Sequence, residues 1–170
     1  MRYSITMNTD LALLCALADT EFDGDSFNGP SLMTTLDSLS VEAATYAGTH
    51  ERYNAWEVAT HVLYFKYYIA NAIGKAGPLE PYRYPKQDFA PPPDQPSDAA
   101  WRELLDYLRT AHRVCMDAIR SLPTERLTDT VPGWKTAFGP AIAWLCTHDS
   151  YHAAQLRNMG VPGLKAAKEG

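Results

Sequence analysis

Apolar residues recur at three- and four-residue intervals along nearly the whole chain, and no segment alternates in the manner of a half-buried strand. That periodicity predicts an all-α protein. The first helix is expected over residues 9–20, with Asn8, Thr9 and Asp10 as cap candidates. Ser31 caps a second piece over 32–36 after the Gly29-Pro30 turn, and a short turn follows at Ser40-Val41-Glu42-Ala43. The next long helix is expected over 54–73, ending at Gly74 and Gly77-Pro78, with an inward stripe of Val58, His61, Phe65, Tyr68 and Ala72. Residues 78–96 hold seven prolines together with Tyr82, Tyr84 and Phe89. Such a composition cannot be helical and is too aromatic for an idle linker, so it predicts a long crossover packed on the bundle. Its aromatic side chains either anchor it or close over a site as a lid. Ser97 caps a third long helix, which carries Trp101, Leu105, Leu108, Cys115 and Leu122 near heptad spacing until Pro123 stops it. After Pro132-Gly133 the last helix is expected over 135–159, with Phe138, Ile142, Leu145, His148, His152, Leu156 and Met159 on one side.

Long helices with short joints at the ends and one long connection in the middle suit a four-helix bundle with a crossover between the second and third long helices. A chain of 170 residues, 46% apolar, is long enough for one cored domain and short for two, so residues 1–170 are read as a single domain. A formal charge of −5 and the lack of a basic cluster interleaved with aromatics argue against nucleic acid as a partner. The apolar run over 11–18 is short, begins beside Asp10 and ends beside Asp19, which does not suit a secretion signal. A cytoplasmic protein without a membrane partner is the expectation. Cys15, Cys115 and Cys146 are too few for a disulfide framework, and all three fall within apolar helical patterns, which predicts reduced thiols.

The candidate chemistry is carried by histidine. His148 and His152 are four residues apart, hence on one helical face about one turn apart, and His61 lies on the inward stripe of a helix far upstream. Three imidazoles from facing helices would hold one divalent ion and leave a coordination position for water or substrate. The competing reading is three histidines packed in a core, which burial makes costly unless the rings share a partner. His50, in a polar segment, and His112, at the flank of its stripe, read as surface or edge residues. Glu57 lies one turn before His61 and either orients its ring, acts as a general base, or caps its helix. Asp149 reads as a surface or capping carboxylate, Gln155 as an interhelix hydrogen-bonding residue, and Cys146 as packing, being about 200° around the helix from His148.

The phrases Phe27-Asn28-Gly29-Pro30-Ser31-Leu32, Trp56-Glu57-Val58-Ala59-Thr60-His61, Trp101 after Asp98-Ala99-Ala100, and the run from His148 to Gln155 resemble the DinB-like superfamily, which includes the YfiT type of metal-dependent hydrolases and thiol S-transferases. The resemblance covers nearly the whole chain. It implies an up-down-down-up four-helix bundle with a divalent metal, zinc or nickel first, bound at one end by His61, His148 and His152. It also implies a homodimer, and an enzyme in which a metal-acidified low-molecular-weight thiol attacks an electrophile or an acidified water attacks an amide or ester of a small-molecule substrate. Many relatives of this type carry histidine where this chain has Asn28 and Tyr53, so the substrate here is expected to differ. A noncatalytic metal- or ligand-binding protein associated with stress explains the same ligands, as does an ion that merely stiffens the bundle or its dimer.

Overall fold

The computed structural model describes residues 9–164, and these form six α-helices, two short 3₁₀ turns and no strand. The helices are α1 (Thr9–Asp23), α2 (Leu32–Asp37), α3 (Val41–Ala44), α4 (Ala55–Ile73), α5 (Asp98–Arg120) and α6 (Phe138–Asn158). The all-helical expectation stands. Among the described residues no helix is long and apolar enough to cross a membrane.

The four long helices close a ring of contacts, α4 against α5 and α6, and α1 against α5 and α6. Helix α4 is covered on nearly every side, with Trp56, Val58, Leu63, Ile69 and Ile73 all buried. Its start is fixed by a reciprocal cap in which the Asn54 side chain accepts from Glu57 N–H at 2.9 Å while the Glu57 carboxylate accepts from Asn54 N–H at 2.9 Å. Its end is fixed by Gly74 at φ 89°, a left-handed conformation that costs glycine little. Ser31 and Ser97 cap α2 and α5 as their sequence context predicts.

Three boundaries depart from expectation. Helix α1 runs on to Asp23 because Glu21 and Phe22 have interior partners: Glu21 accepts from Ser26, Asn28 and Ser150, and Phe22 stacks on His112. Asn8 lies outside the described residues. Helix α6 begins at Phe138 rather than 135 because the preceding residues close a small loop, with Val131 N–H donating to Thr136 and Phe138 N–H donating to Asp129. Helix α5 gives way at Ser121, whose N–H bonds back to Asp117 and Ala118, two residues before the proline that was expected to stop it.

The proline-rich segment between α4 and α5 lies against both. Tyr82 packs on Tyr67 and Tyr107, Tyr84 packs on Tyr107, and Tyr107 donates to the Leu79 carbonyl at 2.8 Å. Farther along, Thr60 of α4 donates to the Ala90 carbonyl at 2.8 Å in a buried contact. The neighbouring Asp88 and Phe89 both contact His61.

Candidate metal centre

His61 reaches inward from α4, and His148 and His152 reach inward from successive turns of α6. The three Nε2 atoms converge: that of His148 lies 3.0 Å from that of His61 and 2.9 Å from that of His152. Their exposures are 8%, 5% and 3% for His61, His148 and His152, so the shared interior that a metal site requires is present. One candidate ligand atom from each lies within 4.8 Å of the others.

The outer nitrogens determine what the inner ones can do. His61 Nδ1 donates to the Asp88 carboxylate, and His152 Nδ1 donates to the Gln155 side-chain oxygen at 2.8 Å. A neutral imidazole carries one N–H, so both rings turn a bare lone pair inward. His148 can donate its single proton to at most one of these neighbours, leaving at least one pair of nitrogens at hydrogen-bond distance with no proton between them. A cation at the focus removes that conflict. The third outer nitrogen, His148 Nδ1, is buried without a hydrogen-bond partner, a cost that a bond from its other nitrogen to an ion would offset.

Electrostatics keep the rings in the form that binds metal. Burial pushes the His148 imidazole down to about 2, with the neighbouring His152 and His61 adding to the effect. Burial likewise pushes His152 to about 4, and lowers His61 even though Asp88 pulls the other way. All three are neutral near pH 7, so no proton has to be displaced from the inward nitrogens.

Aromatic rings wall the cluster. Phe89 stacks on His61 at 4.1 Å between ring centres, and Tyr53 stacks on Phe89 at 3.6 Å. Phe65 presents its edge to His61 and His148, Trp144 lies 4.4 Å from His148, and Tyr151 lies edge-on to His152. Trp144 and Tyr151 are 40% and 64% exposed, so the α6 side of the site meets solvent.

Other residues singled out from sequence take different places. Glu57 is occupied by the α4 cap, and the outer nitrogen of His61 is held by Asp88 instead. Asp149 corrects its surface reading: it is fully buried and paired with Lys66 at 2.8 Å, because one residue step from His148 rotates it about 100° into the interior on the other side of α6. His112 is likewise buried, bonded to Asp19 at 2.9 Å and stacked on Phe22, whereas His50 is exposed. Gln155 bonds within its own helix, to His152, and not between helices. Cys146 is a free, buried thiol that burial pushes up to about 12, in keeping with a packing role. Asn28 is tied to Glu21 and Arg157, while Tyr53 reaches the site through Phe89.

Asp88 and Lys66 escaped sequence reasoning. Lys66 lies off the stripe written for α4, and nothing in its neighbourhood marks a buried cation. For Asp88 a faint signal existed: it is the single acidic residue of 81–93 and directly precedes an aromatic residue.

Neither a curated protein nor a solved structure matches the chain. A family model described as the DinB superfamily matches residues 30–156, three quarters of the sequence, and this span includes all three clustered histidines. With an all-helical fold around that cluster, the chain belongs to the DinB superfamily.

Proposed function

We propose that this chain is a divalent-metal protein whose ligands are His61, His148 and His152, and that it acts as a metal-dependent thiol S-transferase or hydrolase on a small-molecule substrate. The observation that carries the reading is the convergence of three buried Nε2 atoms, two of them with their only N–H directed outward. Neutral nitrogen donors of this kind suit zinc or nickel. A divalent ion held by three neutral ligands supplies Lewis acidity, which makes a thiol or water acidic near neutral pH. The chain's own contributions are distinct: Asp88 and Gln155 fix two of the rings, Phe65 and Phe89 exclude water on the α4 side, and Trp144 and Tyr151 border the open side. In this reading residues 1–170 form one domain, an up-down-down-up bundle with the proline-rich segment as its crossover, working in the cytoplasm as a homodimer.

A noncatalytic binding protein is the second reading. It is favoured by the commitment of Glu57 to a helix cap and of Asp88 to His61, which leaves neither carboxylate free to move a proton. Elemental analysis of the untagged protein beside His148→Ala tests the site. Near-stoichiometric metal in the wild type and none in the variant is expected, and a metal-free wild type would sink both readings. After cobalt exchange, a spectrum that changes on adding a low-molecular-weight thiol supports transfer chemistry. A spectrum that ignores thiols, with no turnover of amides or esters, leaves the binding protein.

A further inference from the structure

His148 and His152 belong to one helix, which fixes their relative placement, but His61 stands alone on α4 and its ring direction must be set by something else. The three outer nitrogens are also treated unequally. His148 Nδ1 has no hydrogen-bond partner, His152 Nδ1 has an amide oxygen from its own helix, and His61 Nδ1 has a carboxylate from a different segment. That carboxylate arrives as part of a three-point grip on α4. Asp88 holds the edge of the His61 ring, Phe89 covers its face, and Ala90 accepts from Thr60, the residue before His61. Phe89 turns the chain at φ 48°, a left-handed conformation that a bulky side chain rarely adopts and that persists where surrounding contacts enforce it. The ring stack of Tyr53, Phe89 and His61 and the buried Thr60–Ala90 bond are such contacts.

From this geometry we infer that Asp88 is a positioning residue for the ligand His61, making the proline-rich segment part of the metal centre and not only a covering of the bundle. The inference rests on the three-histidine reading proposed above. A carboxylate on the outer nitrogen fixes the tautomer with its lone pair inward, fixes the ring's direction, and strengthens it as a donor. The Asp88 side chain is 54% exposed, so its removal leaves no buried charge behind.

The test compares wild type, Asp88→Ala and Asp88→Asn in two measurements. Cobalt titration is expected to show about 10- to 100-fold weaker binding in Asp88→Ala with an altered ligand-field spectrum. Asp88→Asn should fall between, since its amide oxygen can still accept the Nδ1 proton. Long-range ring-nitrogen NMR of the metal-free proteins should show His61 protonated at Nδ1 in wild type and Asp88→Asn, and a tautomer mixture in Asp88→Ala. Wild-type affinity together with a wild-type tautomer in Asp88→Ala overturns the inference and leaves the metal site standing. A wild type that binds no cobalt overturns both.

Discussion

Lys66 and Asp149 form a fully buried ion pair, each within five residues of a candidate ligand and each directed elsewhere. Asp149 keeps one oxygen without a hydrogen-bond partner, and the facing His112 keeps one nitrogen in the same condition. Removing one partner of such a pair strands a charge in the interior, which costs about 3–5 kcal/mol, whereas replacing both with apolar groups of similar volume is close to neutral. Lys66→Met is therefore expected to lower the urea-unfolding free energy by that amount, and adding Asp149→Leu to recover most of it. The pair shows where reading by residue type fails. A histidine on an apolar stripe advertises itself, because its polarity conflicts with its neighbours. A lysine or aspartate one step off the stripe looks like the solvated side of the same helix until the packing partner is known, and that partner is 83 residues away in the chain.

At the level of elements, much more was legible. Caps are local chemistry, and Ser31, Asn54 and Ser97 each begin a helix within a residue of the expected place. Asn54→Ala breaks the reciprocal cap of α4, and thermal unfolding should register a loss of about 1 kcal/mol. The boundaries that moved are those decided at a distance: α1 continues because α5 and α6 supply partners for its last turn, and α6 starts late because a backbone loop takes the N–H of Phe138. The histidine cluster was legible for the same reason as the caps, since a spacing of four on one helix is local information. The grip of residues 88–90 was not, because prolines and aromatics announce a segment that packs without saying on what. Of the two expectations for that segment's aromatics, Tyr82 and Tyr84 anchor it, while Phe89 lies on the ring of the candidate ligand His61.

Across the whole molecule the site ties stability to acidity. In the folded metal-free protein His148 and His152 remain neutral down to about pH 2 and about pH 4, whereas the same side chains in the unfolded chain take up protons near 6.5. As pH falls through that interval the unfolded state binds more protons than the folded one, so stability declines by about 1.4 kcal/mol per pH unit for each histidine. Denaturation midpoints of the metal-free protein should be flat above pH 7 and fall steeply between pH 6.5 and 4. Saturating zinc should raise the midpoint at pH 7 and lose this effect on acidification, because protons and the ion compete for the same lone pairs.

The rings that wall the site also make it visible. Of the four tryptophans, Trp56 and Trp101 lie together in the interior, 5.4 Å apart, while Trp134 and Trp144 form a second pair, with Trp144 4.4 Å from His148 and open to solvent. An open-shell ion such as copper or nickel held by the histidines would lie near Trp144, whose ring packs beside His148, and would quench its emission. The molecule thus carries its own optical gauge of occupancy, readable without any label and sensitive to whatever settles on the exposed face of Trp144.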